Sequence, residues 1–321
     1  MDRRFAALVS CAALALLGTS SCVASRSLGR NFGQAFRSPA KPSGSRSTKV
    51  ATQAEDAGLR ISWVGHATVM VQIGDKTILT DPVFTRTVGQ LAPRRTEPGL
   101  LPEQLPRIDA VLISHMHMDH LSLGSLDAIE AQTTRLFVPR GGVPYLPDYA
   151  FDIRELDRWE AFEDDGLRIT SVPVKHVGFR WGADAAWSQD AFTGYVIEYR
   201  GTSVYFAGDT AYDGDAFRTT HGRFPNLDLV LMPIAPVEPR AFMKHTHVGP
   251  REALQAFLDL GGKTMVPIHF DTFVNSTDQV GDAPKLLEVA RKERGIAKER
   301  IRQLGVGEIA TLSPTTATSS D

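Results

Sequence analysis

Cysteine is almost missing from this chain: the two present, Cys11 and Cys22, both fall within the first 22 of 321 residues. No disulfide framework and no thiolate metal cage is therefore available downstream, where the chain has to fold on packing alone. An excess of one charge sign is missing too. The 35 Lys and Arg against 37 Asp and Glu leave a net charge of -2, without the cationic surplus that neutralises the phosphates of a nucleic acid. Nucleic acid is not an expected partner. The apolar run from Phe5 to Leu17 falls short of the about 20 residues that span a bilayer, so a permanent membrane helix is not expected there. With 42% hydrophobic, 22% charged and 8% aromatic residues, the composition is that of a soluble globular protein of one large or two small domains.

What is present at the start reads as an address. Arg3 and Arg4 precede the apolar run, and Gly18-Thr19-Ser20-Ser21 leads to Cys22, the pattern of a secretory signal over residues 1–22. A cysteine behind small residues resembles the bacterial lipobox, whose cysteine is lipidated and becomes the mature N-terminus. Thr19 stands where that motif usually carries Leu, and cleavage after Ala24 is the alternative. Residues 23–58 are rich in Ser, Gly and Pro with Arg26, Arg30, Arg37, Lys41, Arg46 and Lys49. They read as a flexible basic tether, either simply solvated or lying near anionic head groups. The expected location is the periplasm of a bacterial envelope, the chain held to a membrane surface by lipid anchor and tether. A folded domain is expected over 59–313 and a disordered tail over 314–321.

Within the domain, short apolar runs alternate with turns. Arg60 to Val64, Thr68 to Ile73 and Lys76 to Asp81 predict an antiparallel opening with a hairpin at Gly74-Asp75. Strands follow at Asp109 to Ser114, Arg135 to Val138, Leu167 to Lys175, Thr193 to Tyr199, Ser203 to Ala207, Leu227 to Ile234, Lys263 to Ile268 and Glu308 to Leu312, with helices over Leu121 to Gln132, Pro250 to Leu260 and Asp282 to Arg294. The class is α/β with α+β character, two mixed sheets face to face under outer helices.

The chemistry collects at strand ends. Ser114-His115-Met116-His117-Met118-Asp119-His120 directly follows the apolar Ala110 to Ile113. Imidazole and carboxylate at this density suit Zn, Fe or Mn. His115 and His117, at i and i+2, can grip one ion, and Asp119 and His120 can reach a second. Three further strands end in ligand types: His176, Asp209 behind Gly208, and His269. Together these favour a two-metal site. His66 reads as a turn or supporting histidine, Asp81 as either a group that orients a ligand histidine or a turn-forming Asp-Pro, and His221 and His245 as surface residues.

The order His115-x-His117-x-Asp119-His120, His176, Asp209, His269 resembles the metallo-β-lactamase superfamily, an αββα sandwich with metals at one edge of its sheets. More narrowly, the chain is similar to N-acylphosphatidylethanolamine-hydrolysing phospholipase D and its bacterial relatives. That similarity rests on Trp63-Val64-Gly65-His66-Ala67-Thr68, Leu79-Thr80-Asp81-Pro82-Val83-Phe84, Tyr205-Phe206-Ala207-Gly208-Asp209-Thr210, and on Glu238-Pro239-Arg240, Phe242-Met243-Lys244 and His247-Val248. The resemblance implies two Zn2+ per chain: His115, His117 and His176 on the first, Asp119, His120 and His269 on the second, Asp209 bridging. After His176 the chain reads Val177-Gly178-Phe179-Arg180-Trp181, without the aromatic that the animal enzymes carry next to this histidine, so the implied substrate pocket differs. The expected activity is phospholipid diester hydrolysis by a metal-activated hydroxide, with Asp119 and Asp209 in the catalytic centre and His247 as the acid for the leaving alcohol. A lactonase or esterase resembling the ascorbate-6-phosphate lactonases is the alternative enzyme, and a non-catalytic zinc-carrying, lipid-binding envelope lipoprotein the alternative of another class.

Overall fold

Strand β1 (Leu59–Gly65) reverses at His66-Ala67 into β2 (Thr68–Ile73), which turns through Gly74-Asp75 into β3 (Lys76–Thr80). Gly74 sits at φ +55°, the left-handed backbone that a two-residue hairpin asks of its first turn position. The structure, a computed structural model, describes residues 58–89, 92–182, 184 and 190–312. The leader over 1–22, the tether except Gly58, and the tail over 314–321 lie outside them. Among the described residues no helix is long and apolar enough to cross a membrane.

A short ribbon, β4 (Thr87–Val88) with β5 (Ala92–Pro93), separates this opening from β6 (Ala110–Leu112). Helix α1 (Leu123–Ile129), β7 (Arg135–Pro139) and β8 (Asp152–Leu156) follow. With β15 (Ile309–Leu312) they build a seven-stranded sheet in the order β15-β1-β2-β3-β6-β7-β8. The second sheet has six strands, ordered β14-β13-β12-β11-β10-β9: β9 (Ala161–Asp164), β10 (Leu167–Val172), β11 (Gly194–Tyr199), β12 (Thr202–Phe206), β13 (Leu229–Pro233) and β14 (Thr264–Ile268). Helices α2 (Gly214–Arg223), α3 (Arg240–Met243), α4 (Pro250–Asp259) and α5 (Asp282–Glu293) follow among the described residues.

Alternation sorts the side chains into layers. Leu59, Ile61 and Trp63 of β1, Val69, Val71 and Ile73 of β2, and Phe137 of β7 enter the core shared with the second sheet. Their neighbours Met70, Leu79, Val111 and Leu136 face the opposite way, onto Leu126 and Ile129 of α1. Strand β13 is apolar and buried at every position because the helices cover its outer face with Phe217, Leu254, Phe257 and Leu287. Each such side chain contributes about 1.5–3 kcal/mol on burial. The result is the expected αββα sandwich of two mixed sheets with outer helices.

Direction then places the site. Strands β3, β6 and β7 run parallel, and so do β12, β13 and β14. Strand β10, antiparallel to β11 as β12 is, points the same way as β12. Their C-terminal ends share an edge, where the Tyr195 hydroxyl donates to the Ile113 carbonyl at 2.8 Å and ties one sheet to the other. Several expected elements are shorter, among them β6, at Ala110–Leu112 against Asp109 to Ser114, and β13, at Leu229–Pro233 against Leu227 to Ile234. Strand β10 stops at Val172 because Pro173 has no N–H for the ladder, and α1 begins at Leu123 because the His117 carbonyl accepts from the amides of both His120 and Leu121, holding that stretch in a tight turn. Strands β4, β5, β8 and β9 and helices α2 and α3 were not expected.

Candidate metal centre

Seven residues singled out at strand ends come together at this edge. His115, His117, Asp119 and His120 follow β6, His176 follows β10, Asp209 follows β12 and His269 follows β14. Three overlapping groups hold one ligand atom from each member within 4.8 Å of the others: His115, His117 and His176; His115, His120 and Asp209; and His66, Asp119, His120 and His269. Two of the turns use left-handed backbone, Gly208 at φ +60° and His269 at φ +64°. Gly208 is required as glycine, since a Cβ there would stand 2.3 Å from Ser114 Cβ.

Hydrogen bonds on the far side of each ring decide where its lone pair points. His176 Nδ1 donates to the Thr246 carbonyl at 2.8 Å, and His269 Nδ1 to the Ala235 carbonyl at 2.9 Å. His120 Nδ1 lies 2.6 Å from Asp81 Oδ2. Ser114 Oγ donates to the same Asp81 oxygen at 2.6 Å and accepts from His115 Nδ1 at 2.9 Å. With each of these four rings neutral, as binding a cation requires, Nε2 carries the lone pair. His120 Nε2 and His269 Nε2 face each other at 3.2 Å, and the Asp209 oxygens lie 3.3 and 3.2 Å from them. In those tautomers acceptors face acceptors, and Asp209 Oδ1 is buried without a hydrogen-bond partner among the described residues. Such a donor set fits a divalent cation.

Charge tells the same story. Burial opposes ionisation of Asp119 and Asp209, yet the surrounding histidines hold both carboxyls well below the usual range. Burial also opposes a charge on His120, but Asp209, Asp119 and Asp81 raise its proton affinity well above that of free imidazole. The same demand for positive charge is one that a cation answers. Burial first, and neighbouring histidines after it, hold His115 well below its ordinary value; burial does the same to His176 against the pull of Asp209.

Asp81 is fully buried and accepts from the Ser114 amide at 2.7 Å besides its two side-chain donors, so of its two readings it orients a ligand histidine. His66 is more deeply involved than a turn residue. Buried and at φ +54°, it places Nε2 3.0 Å from Asp119 Oδ2 and its ring 3.9 Å from that of His269. The left-handed turn after β1 is the only sequence signal for this, and it does not specify the partner. His247 Nδ1 lies 3.5 Å from Asp209 Oδ2, buried and without a hydrogen bond. Burial pushes its pKa down to about 4, so the ring rests neutral near pH 7 rather than as the imidazolium expected of a leaving-group acid. His245 is exposed, and His221 Nδ1 binds the Leu260 carbonyl at 3.1 Å. Phe179 packs edge-on against His117 at 5.0 Å between ring centres, so an aromatic reaches the site from three residues beyond His176.

The pattern described as a beta-lactamase superfamily domain matches residues 76–270. The chain is 29% identical over 275 residues, 79% of its own length and 76% of the other's, to the N-acyl-phosphatidylethanolamine-hydrolyzing phospholipase D 1 of Caenorhabditis elegans. An uncharacterized protein of Mycobacterium tuberculosis is 32% identical over 253 residues, covering 73% of this chain and 65% of that protein, somewhat under two thirds of its length. A UPF0173 metal-dependent hydrolase of Pelotomaculum thermopropionicum is 32% identical over 222 residues, 67% of this chain and 86% of the other. Among solved structures, Igni18, a metallo hydrolase from Ignicoccus hospitalis, shares the fold with a TM-score of 0.60 at 20% identity, covering 80% of this chain and 99% of its own.

Proposed function

The chain belongs to the beta-lactamase superfamily and is a metal-dependent hydrolase, and from that premise we propose that it cleaves a phospholipid diester of the N-acylethanolamine type as a phospholipase D does, with two zinc ions. The observation that carries the reading is the set of Nε2 lone pairs on His115, His120, His176 and His269 converging with the Asp209 carboxylate. The substrate class draws on the name of the worm relative. Trp181 and Phe242, 53% and 59% exposed, add to it: they ride on the segments that carry His176 and His247, and apolar rims suit a lipid.

His115, His117 and His176 would hold one ion, Asp119, His120 and His269 the other. Asp209 would serve both, since its oxygens face His120, His176 and His269. Bound there, divalent cations lower the proton affinity of water and stabilise charge gathering on phosphoryl oxygens. The chain's own residues orient the reaction. His66 steers Asp119 through its contact with Oδ2, and Asp81 keeps the proton of His120 on Nδ1. Arg240 Nη2, donating to the His247 carbonyl at 2.9 Å, fixes the loop from which the neutral His247 ring meets the departing oxygen. The products are a phosphatidic acid and an N-acyl amino alcohol. The leader, a lipidated Cys22 and the basic tether would set this activity at the bacterial envelope.

The test is mass spectrometry of products from a synthetic N-acylphosphatidylethanolamine, run beside lactone and ester substrates. Release of the N-acyl amino alcohol, lost with a chelator and in Asp209→Asn, is expected. Lactone or ester cleavage alone moves the chemistry to a carbonyl. A metal-loaded protein without turnover on any of them leaves a lipid-binding role.

A further inference from the structure

We propose that Arg180 is a positioning residue that braces the metal-ligand loop, locking both halves of the centre to the segment that carries His176. The inference rests on the metal-binding reading of the site and not on its substrate. A single nitrogen, Arg180 Nη1, donates to two carbonyls, Met116 O at 3.0 Å and Leu121 O at 2.8 Å. These carbonyls bracket His117, Met118, Asp119 and His120, so one guanidinium closes the base of the loop that feeds both halves. The loop is also tied across its interior, where the His120 and Leu121 amides donate to the His117 carbonyl.

The brace is itself anchored. Asp184 accepts from the Arg180 and Trp181 amides at 3.2 and 3.0 Å and from the Tyr145 hydroxyl at 2.7 Å. The residue before Arg180 is Phe179, whose ring meets His117. The segment from His176 to Arg180 thus supplies one ligand, packs against a second and clamps the carbonyls around the third and fourth. Arg180 makes no ion pair within 4 Å among the described residues, and burial lowers its pKa against the pull of Asp184. A partly desolvated charge directed at two carbonyls gives stronger, shorter-range restraint than a neutral donor would. Groups that orient metal ligands from behind typically change metal affinity about 10- to 100-fold when removed.

Arg180→Ala is therefore expected to weaken Zn2+ binding about 10- to 100-fold in competition with a chromophoric chelator. Both ions should be affected, because the bracketed loop feeds both halves, and the visible spectrum of the Co2+-substituted protein should change with the altered ligand geometry. Arg180→Lys, which keeps the charge and a donor, should recover part of the affinity. The exposed Arg140→Ala, which removes a surface ion pair with Asp157, should leave affinity unchanged. Zn2+ affinity within two-fold of wild type in Arg180→Ala, or an equal loss of thermal stability with and without metal and no change in affinity, overturns the proposal. Should Arg180→Ala fail to fold, Arg180→Met, which keeps the apolar stem but no donor, decides: wild-type affinity and an unaltered Co2+ spectrum there overturn it equally. None of these readouts uses a substrate, so failure of the phosphodiesterase reading leaves them intact.

Discussion

Asp81→Asn changes one oxygen for an NH2 group without altering shape, and it should damage the half of the centre formed by Asp119, His120 and His269. In the native protein Asp81 Oδ1 accepts from the Ser114 amide, and Oδ2 accepts from Ser114 Oγ and His120 Nδ1. An asparagine that keeps its oxygen against the Ser114 amide turns its NH2 toward two donors. His120 escapes by moving its proton to Nε2, which removes the lone pair that faces His269 and Asp209. The flipped amide instead leaves the buried Ser114 N–H without an acceptor. Losing a hydrogen bond to a charged group costs about 1.5–3 kcal/mol, and stranding a buried donor about 1–3 kcal/mol. Taken together, a loss of about 3 kcal/mol is expected, or about 100-fold in affinity for one ion. The first group, touched only through Ser114 and His115, should lose less than about 10-fold. Two-step titration of Zn2+ against a chelator of known affinity separates the two. Both ions bound within three-fold of wild type would refute the tautomer argument, whatever happened to stability.

Gly208→Ala drives a methyl into Ser114 and demands φ +60° of a residue with a Cβ, so urea unfolding should show a stability lower by about 3 kcal/mol; an unchanged midpoint contradicts the close approach. Tyr205 is fully buried, and its hydroxyl has no partner among the described residues. Tyr205→Phe should therefore raise stability by about 1 kcal/mol, or about 2–4 °C in Tm; a drop of that size would reveal a partner for the hydroxyl. His247→Ala, which removes the neutral ring that meets the departing oxygen, should slow cleavage of a diester with a poor alcohol leaving group about 3- to 10-fold more than that of a nitrophenyl diester, with metal content unchanged. Equal slowing of both reassigns His247 to substrate binding.

Strand ends were legible because apolar runs announce themselves and ligand types stop them abruptly. Ala110 to Ile113 running into Ser114-His115, and Met265 to Ile268 running into His269, needed no knowledge of which strands are neighbours. Once β6, β10, β12 and β14 are taken as running the same way, their ends share an edge and the ligands meet. Elements with weak periodicity were not legible. Strand β8 is exposed at Arg154 and Glu155, and β9 at Ala161, Glu163 and Asp164, so neither presents a clean apolar alternation. Helix α2 buries only Phe217 and Thr220, too little to mark a period of 3.6 in a stretch with glycine near both ends.

The deeper part of the site is hidden for a different reason. Which nitrogen of a histidine holds its proton depends on the group behind the ring, and two of the relevant groups leave no mark in the sequence. His176 and His269 are set by the backbone carbonyls of Thr246 and Ala235, which any residue would supply, and those carbonyls are in place only because the loops after β13 fold over the edge. His120 is set by a side chain, Asp81, 39 positions away, and an Asp before Pro reads equally well as a turn. Arg180 acts through the carbonyls of Met116 and Leu121, neither of which is a chemistry-bearing residue. Ligand identity can thus be read from the order of side chains, whereas proton placement and loop bracing belong to the fold. That division predicts where homologues of this chain can diverge without losing metal: at Thr246, where the centre uses only the carbonyl, and among apolar side chains that keep the packing at Ala235, Met116 and Leu121, whose side chains are buried, but not at Asp81 or Arg180, where the side chain itself acts on the centre.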